Sequence, residues 1–470
     1  MNETNRHLSE KEILGIAEST LHKSFGQLGL DSFKTASHKG GIGTFVEEVV
    51  FGYKSNSDNN PDFVDAGIEL KVTPVKQNKN GTISSKERLV LNMIDYFDEG
   101  QATFETSSFY KKNKRLLIMF YLHIIGVPEA NFTITAYDIY EFERSLEYKV
   151  IKRDWETIHS KIASGRAHEI SESDTTFLAA CTKGATSLIR RGQPFSKEEA
   201  KPRAYSFKSG FMTRLYREII HKIGPYAPHF VADDEWMKNP LEEIYSEKLS
   251  IYHGISVSEL KTRYGIRTNP KDINFKIAQK MLGLTGNETS TQEMLDAGIK
   301  LKTVRLSHNG TPHESMSFPT FEFEELIKTR WEESEIRETF VDWKLMIFVF
   351  KDDEFGNPYF DRVVFWNIPN AIVDGPIKDM FVYCATLVEN GNVLYYDKNR
   401  KIKDKFPKER RNSNGVCHVR PHAGKSAHVF ELPVADTATG KTSYTKQCFW
   451  FNKAFVMNVI LNETINTEIA

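Results

Sequence analysis

The chain lacks the features that tie a protein to a membrane, an oxidising compartment or a zinc site. Only four cysteines occur in 470 residues, Cys181, Cys384, Cys417 and Cys448, and no two have CxxC spacing. That pattern excludes a disulfide framework and a cysteine zinc site, and it indicates a reducing compartment. The longest apolar run, residues 116–127, is too short to span a bilayer, contains His123, and reads as a buried strand. The opening residues, Met1-Asn2-Glu3-Thr4-Asn5-Arg6, have no apolar core for secretion. A cytoplasmic protein with no membrane partner is therefore expected. A charge excess of either sign is missing too, since 62 basic and 63 acidic residues leave a formal net charge of −1. Binding to nucleic acid cannot rest on global charge, but the charge is uneven. Lys111, Lys112, Lys114 and Arg115 form one basic cluster, and Arg190, Arg191, Lys197, Lys201 and Arg203 another. A third, residues 398–411, holds eight basic residues against Asp404 and Glu409. Each could neutralise phosphates or be an ordinary solvated surface.

What is present is a stretch that occurs twice. Pro61-Asp62-Phe63-Val64-Asp65-Ala66-Gly67-Ile68-Glu69-Leu70-Lys71 returns in altered form as Glu293-Met294-Leu295-Asp296-Ala297-Gly298-Ile299-Lys300-Leu301-Lys302. A constant shift of 231 residues maps Gly52 to Gly283, Asp65 to Asp296, Gly67 to Gly298 and Lys71 to Lys302. That period is far too long for a solenoid and indicates a duplicated domain. The length allows two to four domains. The Pro- and Gly-bearing residues 224–239 are the expected linker, between domains at 1–223 and 240–470.

In the first half, Ser9 and Glu12 form a capping box that opens a helix expected over residues 9–25. A glycine-rich turn at residues 40–43 precedes a helix at 44–50, a polar loop at 55–60 and an alternating strand at 68–75. Further strands are expected at 89–94 and 116–125, and helices at 153–163 and 211–223. Alternation on the strand sends Ile68, Leu70 and Val72 to one face and Glu69, Lys71 and Thr73 to the other. Asp62, before the turn at Ala66-Gly67, can reach the same cleft as Glu69 and Lys71. Two carboxylates and an ammonium then converge. Hard carboxylate oxygens suit Mg2+, which polarises a phosphodiester and lowers the pKa of a bound water. Lys71 can orient that water or offset charge on phosphorus, and Glu47 is a further carboxylate for a metal water or a second ion. An ordinary strand with a surface Glu–Lys pair would look the same over these few residues.

More of the chain decides between them. It resembles the MutH-like branch of the PD-(D/E)xK nucleases, and within it the two-copy type II restriction endonucleases that cut GATC. The resemblance runs through Lys39-Gly40-Gly41-Ile42-Gly43 to Glu47, Pro61-Asp62 to Pro74, residues 84–92, 104–109, 181–185 and 203–210. It continues through Met316-Ser317-Phe318-Pro319, His418-Val419-Arg420-Pro421-His422 and Gln447-Cys448-Phe449-Trp450-Phe451. It implies an α/β fold of two tandem MutH-like domains, each a mixed β-sheet flanked by helices. It implies catalytic roles for Glu47, Asp62, Glu69 and Lys71, with Asp62 and Glu69 on Mg2+, and for a second active-site lysine at Lys112. Its DNA-facing segments fall on Lys183, whose donors suit a guanine edge or a phosphate equally, and on Ser206 and Lys208. In the second half Glu69 becomes Lys300, Asp62 becomes Glu293 and Glu47 becomes Ala278. A lysine there repels a cation, so that half is expected to bind and not to cut. Its DNA-facing residues are Arg420, His422 and Lys453, with Trp450 readable as core or contact. The resemblance further implies double-stranded DNA as substrate, cleavage before the G, and a second site taken as allosteric effector. It implies a cognate DNA methyltransferase as the partner in the system, and it admits dimerisation on DNA. A mismatch-repair nickase and a non-catalytic GATC-binding protein are the rival readings.

Overall fold

The computed structural model describes residues 6–33, 41–54, 60–78, 81–124, 126–184, 189–221, 227–236, 238–268, 270–285, 288–422 and 428–462. Gly40 of the glycine turn, most of the loop at 55–60, and parts of the expected linker lie outside them. Among the described residues no helix is long and apolar enough to cross a membrane. The chain divides into two compact units. One is Met1–Lys238 with Gln292–Gly298, and the other is Asn239–Thr291 with Ile299–Ala470. The cut at 238/239 falls inside the expected linker, but residues 292–298 of the second half belong to the first unit. The linker itself is partly structured. Trp236 is buried, meets the Phe177 ring edge-on at 5.3 Å, and its carbonyl accepts a bond from Arg153.

The first unit opens with helix α1 (Glu10–Thr20), capped by Ser9 and Glu12 in the reciprocal way the sequence indicates. Helix α2 (Gly41–Phe45) continues as a π-helical turn, Val46–Val50. Gly41 and Gly43 thus lie in the helix and do not form a separate turn. Strand β1 (Glu69–Gln77) pairs antiparallel with β2 (Ile83–Ser85) and parallel with β4 (Arg115–His123). β4 pairs antiparallel with β5 (Thr133–Glu141), which gives a four-stranded sheet in the order β2-β1-β4-β5. β4 lies inside a sheet covered on both faces, which is why it reads as an unbroken apolar run. Phe25, Phe45, Phe63, Ile68, Leu70 and Leu117 share the core beneath it. A second sheet has the order β3-β7-β6, from β3 (Leu89–Met93), β7 (Arg203–Phe207) and β6 (Leu178–Thr182). Helix α3 (Ser108–Asn113) leads into β4, α4 (Tyr148–Ala163) precedes β6, and α5 (Ser209–His221) follows β7.

The second unit repeats this plan. Strand β8 (Ile299–Leu306) runs parallel to β10 (Lys344–Asp352), which pairs antiparallel with β11 (Pro358–Asn367). Strands β9 (Met316–Phe321), β13 (Gln447–Phe451) and β12 (Cys417–Pro421) form an all-antiparallel sheet in the order β9-β13-β12. The duplication therefore reaches sheet order and strand direction. It also reaches backbone conformation: Gly52 and Gly283 have φ of 73° and 74°, and Gly67 and Gly298 have 63° and 70°. A side chain would strain all four, so each copy needs glycine at the same two turns.

Candidate active site

β1 presents Glu69 and Lys71 on one face, and the backbone ties Asp62 to them. The Asp62 amide donates to Glu69 Oε2 at 3.1 Å, and the Leu70 amide donates to Asp62 Oδ2 at 3.0 Å. The two carboxylates are thus fixed to each other through main-chain bonds and not left to rotamer chance. Arg6 holds the turn from outside by donating to the carbonyls of Asp62 and Pro61. Lys71 Nζ donates to Glu69 Oε1 at 2.9 Å and to the Leu91 carbonyl of β3 at 3.0 Å. Lys112 Nζ, on α3, stands 3.7 Å from the same Oε1. The register chosen for the second lysine therefore places an ammonium beside Glu69.

The site is deep: Asp62 is 7% exposed and Glu69 3%. Burial pushes the Glu69 carboxyl up to about 7, and the Asp62 charge adds to this, although Lys71 and Lys112 pull it down. Sequence reasoning overlooked Tyr53. Its buried hydroxyl is held protonated by burial and by the charges of Asp62, Glu47 and Glu69. Glu47, on the π-helical turn, is thus one of three carboxylates whose charge acts on that hydroxyl. A tyrosine one residue past a helix-ending glycine carries no chemical signal in sequence, which is why it was missed.

Among the described residues no three His, Cys, Asp or Glu side chains stand together as a full metal cage. Two carboxylates tied together, with lysines at their edge, fit instead a hard ion that keeps water and takes phosphate oxygens.

Two comparisons bear on this constellation. The family described as DNA mismatch repair enzyme MutH matches residues 51–154 and 282–371. The two matches begin 231 residues apart, the same shift that relates Lys71 to Lys302. The type II restriction enzyme Sau3AI of Staphylococcus aureus is 35% identical over 486 aligned residues, which cover 96% of this chain and 98% of that one. The chain belongs to the MutH-like type II restriction endonucleases. It is a site-specific deoxyribonuclease of that family.

In this endonuclease the expected DNA-facing residues divide. Lys183 lies just past the end of β6, half-buried, with its amide bonded to the Pro202 carbonyl. Ala185, in the same loop, lies outside the described residues. Ser206 and Lys208, expected on a DNA-facing segment, are both buried. Ser206 is fully buried, and its hydroxyl points at the Ala179 carbonyl. Lys208 is 3% exposed, and its ammonium donates to the Thr175 carbonyl. Ser206 lies on β7, the middle strand of its sheet and buried throughout, and Lys208 follows one residue past the end of that strand.

In the second unit the β12–β13 register sets Pro421 opposite Gln447, as β6–β7 sets Thr182 opposite Arg203. His422 is thereby the counterpart of Lys183. It is exposed, and burial of its ring edge beside Lys302 and Arg420 lowers its pKa. The Arg420 guanidinium lies 3.7 Å over the half-exposed Trp450 ring, and His422 stands 5.3 Å from that ring. Lys453 is partly engaged, since its ammonium donates to the His313 carbonyl. The carboxylate at the Asp62 position does not survive as a site. Glu293 sits on the helix Gln292–Ala297 in the first unit, bonded to His229 at 2.9 Å and to the Val231 amide at 3.1 Å. Ala278, on the helix Ile273–Met281, is fully buried.

Proposed function

We propose that the first unit makes Mg2+-dependent double-strand cuts at GATC, before the G, and that the second unit binds another GATC as allosteric effector. The observation that carries the reading is the gathering of Asp62, Lys71 and Lys112 on the Glu69 carboxylate, the Asp62 amide at Oε2 and the two ammoniums at Oε1, present in the first unit and dismantled in the second. The GATC preference rests on the family resemblance of the DNA-facing stretches. Asp62 and Glu69 would hold the ion, which when bound activates water and polarises the scissile phosphate. Lys71 has two of its three N–H donors fixed by Glu69 and Leu91, which aims the third into the cleft toward water or a phosphate oxygen. Lys112 offsets charge on the same edge. Tyr53, held protonated by burial and by the charges of these carboxylates, acts as a positioning residue. Lys183 meets the duplex at a guanine edge or a phosphate. Four buried, unpaired cysteines suit a cytoplasmic setting. There the substrate is double-stranded DNA and a cognate methyltransferase shares the site; dimerisation on DNA would bring two first units to the two strands.

Plasmid cleavage tests this reading. With Mg2+ a linear product is expected, and without it none. A plasmid with two GATC sites is expected to be cut faster than one with a single site, because the second site favours the active assembly. A nicked-circle end product would favour the mismatch-repair nickase, and no product in any metal would leave a GATC-binding protein.

The raised Glu69 carboxyl also predicts a pH dependence. Below about pH 7 that carboxyl carries a proton, which a cation must displace. The Mg2+ concentration for half-maximal cleavage is therefore expected to rise about tenfold per pH unit on acidification below 7, and to level off above it. A half-maximal concentration that stays constant between pH 6 and 8 would contradict the assignment of Glu69 as ligand.

A further inference from the structure

The second unit gathers cations at the position where the first has its active site. Lys302 Nζ donates to the Ser317 carbonyl of β9, as Lys71 Nζ donates to the Leu91 carbonyl of β3. The ammonium position is thus preserved to the level of its main-chain acceptor. Lys300 takes the place of Glu69. Both ammoniums lie against the Trp343 ring, Lys300 at 5.5 Å and Lys302 at 5.7 Å from its centre, and Lys302 stands 5.0 Å from the Phe318 ring. Those aromatic faces hold the two cations in place without neutralising them. The carboxylate whose charge acts on Lys300 is Asp342, while Lys302 feels Lys300 and the Cys448 thiol. Burial keeps that thiol neutral by pushing it up to about 12. Arg420 and His422 belong with them electrostatically, since the charges of both Lys302 and Arg420 act on the His422 ring.

Like charges gathered on a half-buried floor are unfavourable unless an anion joins them. We propose that Lys300 and Lys302 form a metal-free clamp for a backbone phosphodiester of the effector DNA. The Lys300 ammonium supplies the positive charge that a carboxylate-bound ion supplies in the first unit. Lys302 has spent one donor on Ser317 and keeps two for phosphate oxygens. Arg420 stacked on Trp450, with exposed His422 beside it, continues the cationic strip from the two lysines to the counterpart of the Lys183 loop. A strip of that length suits a polynucleotide backbone better than a free anion. This inference rests on the effector reading of the second unit and gives it a chemical basis: effector binding needs no divalent ion.

Lysine footprinting of the full chain in EDTA tests it, with brief reductive methylation read peptide by peptide. Lys302, whose burial lowers its pKa to about 8, offers a reactive amine at neutral pH. A short GATC duplex is expected to slow modification of Lys300 and Lys302 at least about fivefold. The same duplex with methylphosphonates in place of the GATC phosphates is expected to give no such protection. If the duplex shields Lys446 and Lys453 but leaves Lys300 and Lys302 as reactive as in free protein, the clamp is wrong and the effector reading stands. If no lysine of the second unit is shielded, the effector reading falls and the clamp with it. Equal protection by inorganic phosphate at the same phosphate concentration would overturn the assignment to a phosphodiester.

Discussion

Glu69→Ala is expected to lower the rate of DNA cleavage by at least about a thousandfold, a loss of roughly 4 kcal/mol of transition-state stabilisation. The side chain holds three groups at once: the Asp62 amide on Oε2, and the Lys71 and Lys112 ammoniums at Oε1. Removing it takes away a metal ligand and also leaves two lysines without the anchor that aims them. Asp62→Ala should be as damaging to cleavage, with an added structural cost. Its Oδ2 accepts the buried Leu70 amide, and an orphaned buried donor costs about 1–3 kcal/mol. Glu69→Gln separates the effects, since an amide of similar size can still accept from the Asp62 amide but is a poor ligand for a hard cation. Cleavage by all three variants, set beside circular dichroism and GATC-duplex binding in EDTA, checks the prediction. Cleavage by folded Glu69→Ala within tenfold of the parent would reject the site assignment.

The carboxylate–lysine set was legible because a strand has period two and because a Pro-Asp turn precedes it at the right distance. The duplication was legible for the same reason: glycines required at two positive-φ turns keep register across 231 residues. Sheet topology was not. The parallel β1–β4 pairing joins residues more than forty positions apart, and no local pattern encodes that choice of neighbour. Ser206 and Lys208 show a different limit. A family resemblance points to a segment expected to face DNA, but the face each residue presents depends on what covers it. β7 is central in its sheet and covered on both sides, so alternation does not bring Ser206 out, while Lys208, just past the strand, turns in to the Thr175 carbonyl. Residues 292–298 group with the first unit for a related reason. By sequence that stretch is the second copy of the Pro61-Asp62 turn. By packing it is a helix of the first unit, because Glu293 and Asp296 find partners there that no linear pattern announces.

Those partners set the largest expected effect on stability. Arg214 of α5 pairs with Asp296 at 3.0 Å, Glu147 at 2.7 Å and Glu218 at 3.6 Å, and its guanidinium lies over the rings of Phe177 and Phe211. Asp296 is 1% exposed and Glu147 7%. Arg214→Ala strands both carboxylates in an apolar setting, and breaking a buried pair in this way costs roughly 3–5 kcal/mol. The helix Gln292–Ala297 packs against α5 so closely that a Cβ on Gly210 would meet the Leu295 carbonyl at 2.2 Å, which leaves no room for the helix to shift and compensate. The pH dependence follows from Asp296. Burial pushes its carboxyl up to about 7 even with Arg214 beside it. A raised carboxyl favours the folded state fully below about pH 4, and that contribution is lost as the pH rises through 7. Without Arg214 the carboxyl rises further. The gap between variant and parent should then be smallest near pH 5, where Asp296 is protonated in both, and widest above pH 8. Asp296→Asn in the Arg214→Ala background should restore part of the loss at pH 8 and little at pH 5. Hydrogen exchange of the Ser209–His221 amides in the full chain reads this helix directly, apart from any unfolding of the second unit. A variant whose α5 protection matches the parent within about 1 kcal/mol at pH 8, or whose deficit is the same at pH 5 and pH 8, would show that the Arg214–Asp296 pair does not hold the borrowed helix in place.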